Sequence, residues 1–293
     1  MPADMIPDKL YKYKKFDLYS LKMLTDGSIY FSDPEDFNDP LDCKPDILVD
    51  VDNFKLEALC ITMMAKSSSL EHATQYVPTL RDMSSYIDPE YDIEDFDVEE
   101  LHRARLKEHI LGLLELEMRG KGILSMAESW RCPLMWSHYA DQHKGICFEY
   151  DISKSVIPPP TKVDYGGKRC VTTSDLTDYY NGSESAQFNI EHTCFFTKAN
   201  EWKYEKEWRF LKDRGGTTSL PFPLSAIYFG MRCDQTIVTT IVNLMKATEV
   251  AFFKVYPKDD SFSLERSIFD HEYIHFCRPQ PPLAYIFRSQ QIS

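Results

Sequence analysis

The sequence predicts a single α+β domain over residues 1–293, built on a mixed, bent or split β-sheet core, with a helical insertion or lid at residues 50–122. Two observations predict this class. Apolar segments with the alternation or the β-branched and aromatic content of strands occur near residues 29, 123, 146, 207, 226 and 250. The stretch between the first two of them has helical periodicity instead.

Composition limits the classes of function. The hydrophobic content of 43% is sufficient for a real core. The net charge of −13 argues against a broad basic surface for duplex nucleic acid and leaves a local basic groove open. No apolar run is long enough to cross a bilayer, and the N-terminal sequence lacks the apolar core of a signal peptide, so we expect a cytoplasmic protein without membrane contact. The eight cysteines have no CxxC or paired metal-ligand spacing, so we predict reduced thiols and no metal site.

The chain begins with short elements that end in a polar loop. Leu10–Lys14 alternates like a strand, Asp17–Leu24 is helical in pattern, and Ile29–Phe31 is a second strand. The loop contains Asn38-Asp39-Pro40, whose Asx side chains and proline favour a turn. Two interpretations remain open: a tight turn that only ends a strand, or a loop that contacts a ligand.

The insertion is predicted to be mostly helical. Its helices are predicted at Phe54–Lys66, at Leu70–Tyr86 and, with the clearest amphipathic pattern, at Leu101–Arg119. The acidic run Asp88–Glu100 is interpreted as a solvated face or loop.

A compact helix follows the next strand. Gly122–Ala127 is predicted to be a strand and Pro133–His143 a helix, because proline suits a first helical position and Gly145 suits the stop. The helix carries His138, which is either a satisfied core histidine or a functional group. Ile146–Ile152 is predicted to be the strand that leaves it.

The later part of the chain alternates strands and a helix. After a stretch of weak pattern, Ala226–Gly230 is predicted to be a buried strand, Gln235–Ala247 a helix, and Val250–Tyr256 another strand. Ser261–Ser267 is predicted to be the last strand.

The stretch Trp202–Leu211 contains two glutamates one residue apart. We interpret it as a strand on which Glu205 and Glu207 point to the same side, because side chains alternate along a strand. Two carboxylates on one face are costly unless they are paired or used. The stretch is therefore either an edge strand with salt bridges or part of a catalytic site.

Four motifs in this order resemble a known family. They are Tyr11-Lys12-Tyr13, the segment from Tyr30-Phe31-Ser32 to Phe37-Asn38-Asp39-Pro40, Pro133-Leu134-Met135-Trp136-Ser137-His138-Tyr139-Ala140, and Trp202-Lys203-Tyr204-Glu205-Lys206-Glu207-Trp208-Arg209. On these motifs the chain resembles the bacterial family of unknown function numbered 2971. The resemblance extends over most of the chain and is weakest at residues 50–122.

The order of elements also resembles the mono-ADP-ribosyltransferase superfamily. By that resemblance the fold would be ADP-ribosyltransferase-like, NAD would be the substrate that supplies the transferred group, and Glu205-x-Glu207 would correspond to the Gln/Glu-x-Glu element of arginine-modifying members. Glu207 would hold the nicotinamide ribose and favour its cationic transition state, and Glu205 would position or deprotonate the acceptor. The first strand offers Lys12 in place of Arg or His, and the second offers Ser32 without a Ser-Thr-Ser run.

The predicted site is therefore a set of polar and aromatic side chains from several segments. His138 completes the predicted catalytic residues with the two glutamates. The predicted NAD-binding residues are Tyr11, Lys12, Tyr13, Ser32, Asn38, Asp39, Trp136, Tyr139, Trp202 and Arg209.

The resemblance leads to a specific functional expectation. We expect an NAD-dependent mono-ADP-ribosyltransferase-like enzyme, acting as a bacterial toxin or a defence effector. Its acceptor, a protein or a nucleic acid, is not identified by the sequence, and a regulatory protein partner is also open.

Two alternatives remain. The first is a non-enzymatic module that binds a nucleotide or a protein segment in an aromatic pocket of Trp136, Tyr139, Trp202 and Trp208. The second is a metal-dependent nuclease that uses Glu205, Glu207, Asp39 and His138, although these carboxylates lack a recognisable metal spacing.

Overall fold

The computed structural model describes residues 5–85 and 97–268 and has a mixed α+β architecture. The strands are β1 (Lys9–Lys14), β2 (Ser28–Phe31), β3 (Asp46–Leu48), β4 (Gly122–Ala127), β5 (Ile146–Asp151), β6 (Thr161–Lys162), β7 (Asp164–Tyr165), β8 (Cys170–Thr172), β9 (Thr197–Lys198), β10 (Glu207–Lys212), β11 (Gly216–Ser219), β12 (Leu224–Phe229), β13 (Ala251–Pro257) and β14 (Leu264–Ile268). The helices are α1 (Leu18–Thr25), α2 (Asn53–Ser67), α3 (Leu70–Ser85), α4 (Val98–Met118), α5 (Pro133–Tyr139), α6 (Thr173–Tyr180), α7 (Glu184–Phe195) and α8 (Gln235–Met245).

An eight-stranded sheet organises the molecule, with the strand order β14-β13-β12-β5-β1-β4-β10-β6. Its neighbours are antiparallel except for β12 and β13, so the expected mixed sheet is confirmed. The remaining described strands form three two-stranded sheets: β2 with β11, β3 with β8, and β7 with β9.

The large sheet opens between two central strands. β1 pairs with β5 along all six of its residues, but it pairs with β4 only where Tyr11 faces Ala127. The segment after β2 meets β4 beyond that point, because the backbone groups of Ser32 and Ile123 exchange two hydrogen bonds of 2.9 and 2.8 Å. The diverging strands and this segment therefore surround an opening in the middle of the sheet.

Each face of the sheet packs against apolar side chains. Trp208 and Phe210 of β10 belong to a cluster with α8 residues such as Ile241. The opposite face of the neighbouring strands packs with α5 through Trp136, which is fully buried. Alternation along β10 places Glu207 and Arg209 on the side away from Trp208.

Helices α2, α3 and α4 occupy the predicted insertion and share a core with α6 and α7. Leu56, Val77 and Ile110 are almost fully buried there, together with Ile123 of β4 and Phe195 of α7. The domain limits of 1–293 stay a prediction. Residues 86–96 of the acidic stretch lie outside the described residues, and Asp97 caps α4 by accepting hydrogen bonds from the backbone of Glu99 and Glu100.

The helix predicted at Pro133–His143 is shorter than expected. It ends at Tyr139, because Asp141, Gln142 and His143 have φ values of 45°, 54° and 68°, which reverse the chain before β5. The reversal brings the carbonyl of His143 against Gly230, where a Cβ atom would lie 2.1 Å from that oxygen.

Two expectations concern the whole chain. In the described ranges, no helix is both long enough and apolar enough to cross a membrane. The seven cysteines in these ranges are free thiols, and Cys277 lies outside them.

Candidate functional site

A cavity of about 390 Å³ lies at the opening between β1 and β4, and we call it the β1–β4 cavity. Most of the predicted site residues line it: Tyr11, Lys12, Tyr13, Ser32, Asn38, His138, Tyr139, Glu205 and Glu207. Further lining residues, which the sequence did not indicate, include Asp42, Ser125 and Lys198. Segments far apart in the sequence therefore meet at one cavity.

Four predicted residues are not among the lining residues: Asp39, Trp136, Trp202 and Arg209. Asp39 stabilises the local turn, since its carboxylate accepts a hydrogen bond of 2.9 Å from the backbone of Leu41. That turn places Asn38 at the cavity. Trp136 is a core residue whose indole donates to the carbonyl of Trp130 at 2.7 Å.

Glu205 does not lie on a strand, contrary to the sequence-based interpretation. It ends a 3-10 helix, Asn200–Glu205, and Lys206 has a left-handed φ of 45° before β10 begins at Glu207. The kink replaces simple alternation. Both carboxylates still reach the same place, because each of them contacts the ammonium group of Lys198.

Five buried charged side chains form what we call the charged cluster: Asp42, Lys198, Glu205, Glu207 and Arg209. The Lys198 Nζ atom lies 2.7 Å from Glu205 Oε2, 3.3 Å from Glu207 Oε2 and 3.2 Å from Asp42 Oδ2. Its ammonium also lies 5.0 Å from the ring centre of Trp202. Buried charges are tolerated when they are paired in this way.

Arg209 completes the cluster with a two-point contact to Glu207. Its Nε donates to Glu207 Oε1 at 2.8 Å and its Nη2 donates to Glu207 Oε2 at 3.1 Å. The same Nη2 donates to Asp42 Oδ2 at 2.7 Å, and Nη1 donates to the carbonyl of Phe195 at 2.8 Å. The planar guanidinium therefore fixes both the position and the orientation of the Glu207 carboxylate.

The two glutamates titrate differently. Burial acts to raise the pKa of Glu207, but Arg209 and Lys198 outweigh it and hold that pKa well below its usual range. Burial raises the pKa of Glu205, with opposition from Lys198 and a further increase from the nearby Glu207 charge. Glu207 is thus the more firmly ionised carboxylate of the pair.

Two tyrosine hydroxyls support the glutamates. The Tyr139 hydroxyl donates to Glu205 Oε1 at 2.6 Å. The Tyr165 hydroxyl accepts from the backbone N–H of Glu207 at 2.8 Å, which helps to fix the start of β10.

Lys12 is a cavity cation that makes no direct contact with a carboxylate of the described residues. Its Nζ donates to the carbonyl of Ser125 at 2.6 Å, across the opening of the sheet. Burial, and then the charge of Lys14, lower the pKa of Lys12 to about 7, although Glu207 and Glu205 act in the opposite direction. Lys12 is therefore poised to gain or lose a proton near neutral pH.

The aromatic residues of the proposed binding pocket do not share one cavity. Trp208 lies on the other face of β10, where its indole donates to Glu128 at 3.0 Å, and Trp136 is in the core. His138 instead contacts Trp202 and Tyr204, with ring centres 6.4 and 6.1 Å away. His138 is exposed, so it is not the core histidine of the alternative interpretation.

The acidic residues of the charged cluster are not arranged as ligands of a metal. In residues 5–85 and 97–268, no group of three or more His, Cys, Asp or Glu side chains has the geometry to hold an ion. The carboxylates of Asp42, Glu205 and Glu207 surround a lysine ammonium instead.

A fourth buried carboxylate among the described residues lies behind the cavity wall. Glu149 of β5 accepts hydrogen bonds from Lys9 at 2.5 Å, Ser225 at 2.8 Å and Tyr228 at 2.5 Å. It also interacts with the hydroxyl of Tyr11, and burial together with Glu149 raises the pKa of that tyrosine. Glu149 therefore supports Tyr11 from outside the cavity.

Sequence reasoning missed Lys198, Asp42 and Glu149. The one available signal for Lys198 was its position shortly after the apolar run Cys194–Phe196. Asp42 lies in an acidic loop, and Glu149 alternates with apolar residues as a solvated strand residue would. Asp42 and Glu149 contact residues that are far away in the sequence, whereas Lys198 contacts two glutamates that follow it closely but lie in a 3-10 helix and in β10.

Residues 135–210 match the model of a family described as "Protein of unknown function (DUF2971)". This segment contains most of the α5 motif and the complete Trp202–Arg209 motif, and the match supports the family assignment made from the motifs. No curated protein and no solved structure matches the chain.

Proposed function

We propose that this DUF2971 chain transfers ADP-ribose from NAD⁺ to an acceptor and that the reaction takes place in the β1–β4 cavity. The observation that carries the proposal is the convergence of Lys12 on β1, Ser32 after β2 and Glu207 on β10 at one cavity. These are the three segments that the resemblance to mono-ADP-ribosyltransferases relates to NAD binding.

The transfer needs a fixed negative charge beside the reacting ribose. The bond between ribose C1′ and the nicotinamide nitrogen breaks, its electron pair leaves with nicotinamide, and positive charge develops on the ribose. Glu207 is buried, ionised and held at two points by Arg209, so it requires little reorganisation during the reaction. Such preorganised charge is the main way in which proteins stabilise a transition state of this kind.

Glu205 is suited to the acceptor side of the reaction. The acceptor nucleophile bonds to C1′ and releases a proton, which Glu205 accepts. A carboxylate whose pKa lies above its usual range is a better proton acceptor than an ordinary one. Tyr139 and Lys198 hold its two oxygens at 2.6 and 2.7 Å.

The cavity has suitable dimensions and chemistry for part of a dinucleotide. Its volume of about 390 Å³ lies within the range of roughly 300–1,000 Å³ typical of ligand pockets. Tyr11, Tyr13 and Tyr139 supply aromatic surface for a planar ring, and Lys12 supplies a donor for a phosphate or hydroxyl oxygen.

The test is release of nicotinamide from NAD⁺ by the full chain and by two matched variants. We expect Glu207→Gln to lower turnover by roughly 10²–10³-fold, because it keeps the shape and removes the charge. Glu201→Gln is the control, since Glu201 is an exposed residue of the adjacent 3-10 helix. Turnover that is absent in the wild-type chain, or retained by Glu207→Gln, contradicts the proposal.

A binding module without catalysis is the second candidate. The observation in its favour is the aromatic group His138, Trp202 and Tyr204, in which the exposed His138 lies beside two half-buried rings. Calorimetry with NAD⁺, and separately with Mg²⁺ or Mn²⁺, distinguishes the candidates. NAD⁺ binding without turnover favours the module, and binding of a metal alone favours the nuclease alternative.

The biological role follows from the acceptor. A toxin or a defence effector would modify a protein or a nucleic acid that a cell or a phage needs. Mass spectrometry of a cell lysate incubated with the chain and labelled NAD⁺ identifies the modified molecule, and a bound regulatory protein can be sought in the same sample.

A further inference from the structure

We propose that Lys198 is the positioning residue of the two-glutamate site. Its ammonium, anchored by Asp42, holds Glu205 and Glu207 together and keeps both carboxylates available in their ionised forms. The inference about catalysis rests on the proposed function, whereas the inference about charge rests on the contacts alone. Neither Lys198 nor Asp42 belongs to the four sequence motifs, although Lys198 lies within the matched residues 135–210.

The geometry matches the donor capacity of a lysine. An ammonium group has three N–H donors, and the Nζ atom of Lys198 lies within 3.3 Å of three carboxylates from three different segments. The segments are the loop after β2, the 3-10 helix and β10. Lys198 is itself only 8% exposed, so solvent does not compete strongly for these contacts.

The charges explain why a cation is needed at this position. Two buried carboxylates that share one site repel each other, and one of them takes up a proton unless a cation intervenes. Arg209 binds Glu207 and Asp42. The cation that contacts Glu205, among the described residues, is Lys198. Loss of Lys198 therefore affects Glu205 more than Glu207.

The other groups that act on Glu205 are identified by their contacts and charges. Tyr139 donates a hydrogen bond to it, and Glu207 raises its pKa. Lys12, Tyr165 and Tyr204 interact with it electrostatically. Of these groups, Lys12 is the one that changes charge near pH 7, so each titration below is repeated in a Lys12→Met background.

The direct test is a carbon NMR titration of the full chain with labelled glutamate side chains, with the Glu205 signal assigned through Glu205→Gln. We expect Lys198→Met to raise the titration midpoint of Glu205 by about one pH unit or more, because an adjacent opposite charge is lost. Lys198→Arg should keep the midpoint close to that of the wild type. Lys203→Met is the control, since Lys203 is an exposed lysine of the 3-10 helix that ends at Glu205.

A second variant, which should shift the titration midpoint of Glu205 in the opposite direction, covers the case in which Lys198→Met fails to fold. Asp42→Asn removes a negative charge that competes for the same ammonium, so the midpoint of Glu205 should fall. A midpoint that stays unchanged in a folded Lys198→Met or Asp42→Asn chain overturns the inference.

The catalytic part is tested by the pH dependence of kcat/KM for transfer. We expect the acid limb of the profile to move to higher pH in Lys198→Met and to return in Lys198→Arg. If Lys198 had only a structural role, Lys198→Met would lower the melting temperature and leave the titration midpoint of Glu205 unchanged. If the titration midpoint of Glu205 shifts as expected but the wild-type chain does not turn over NAD⁺, the proposed function is refuted. If the wild-type chain turns over NAD⁺ but the pH profile of Lys198→Met is not shifted, the positioning role is refuted.

Discussion

The ammonium nitrogen of Lys12 lies 2.6 Å from the carbonyl oxygen of Ser125, and this contact spans the opening between β1 and β4. The two strands share a single backbone pair, between Tyr11 and Ala127. A side chain therefore replaces ladder hydrogen bonds at the place where the sheet separates. The same side chain forms part of the wall of the β1–β4 cavity.

Lys12→Met is expected to raise the melting temperature at pH 7. The pKa of Lys12 is about 7 in the folded chain, whereas an unperturbed lysine, as in an unfolded chain, has a pKa of 10.5, so the folded chain binds the proton less well. The resulting cost to stability is fully present below about pH 7 and disappears as the pH rises towards 10.5. The stabilising effect of the substitution should therefore decrease over that interval.

Thermal unfolding at several pH values between about 6 and 10 checks this expectation, with exposed Lys203→Met as the control. A difference in melting temperature that does not change with pH would show that Lys12 keeps an ordinary pKa.

Glu205→Gln is expected to impair transfer to an acceptor more than hydrolysis of NAD⁺. The amide keeps the shape but cannot accept the proton of the nucleophile, and loss of a general base typically lowers the rate by roughly 10²–10⁴-fold. Parallel assays of nicotinamide release and acceptor labelling measure the two rates. Equal losses in both assays would assign Glu205 to the bond-breaking step that it shares with Glu207.

Arg209→Met is expected to destabilise the fold strongly. It leaves the buried carboxylates of Asp42 and Glu207 without their shared guanidinium, and breaking a buried pair on one side typically costs about 3–5 kcal/mol. Urea denaturation measures the free energy of unfolding, and Arg214→Met at an exposed position is the control. A loss below about 1 kcal/mol, as for a surface ion pair, would contradict the expectation.

Gly230→Ala is expected to be destabilising, whereas Gly112→Ala is not. A Cβ atom at residue 230 would lie 2.1 Å from the carbonyl oxygen of His143, and overpacking of this kind typically costs about 1–3 kcal/mol. Gly112 lies in α4 with no atom near the added carbon, and Ala there should stabilise the helix by about 0.5–1 kcal/mol. Denaturation measures the free energy of unfolding of both variants, which should fall for Gly230→Ala and rise for Gly112→Ala. Equal changes in the two variants would contradict the close contact of residue 230 with His143.

Local pattern was sufficient for most elements and insufficient at two turns. The alternation of Leu10–Lys14 and the apolar run Ala226–Gly230 predicted β1 and β12 to within one or two residues. Periodicity could not predict that α5 ends at Tyr139 or that Lys206 has a left-handed φ. Those turns depend on distant contacts, such as the approach of Gly230 to the carbonyl of His143.

Residue patterns were enough to predict the α+β class and the mixed sheet, because hydrophobic periodicity and turn residues act over short distances along the chain. The motifs that line the cavity were found through a resemblance to known families and not through periodicity. Tertiary structure alone decided which side chains neutralise the two glutamates. Lys198 and Asp42 reach Glu205 and Glu207 only after the β9 segment and the loop after β2 have packed beside β10. The electrostatic energy of that cluster depends on distances of about 3 Å in space, which residue spacing does not encode.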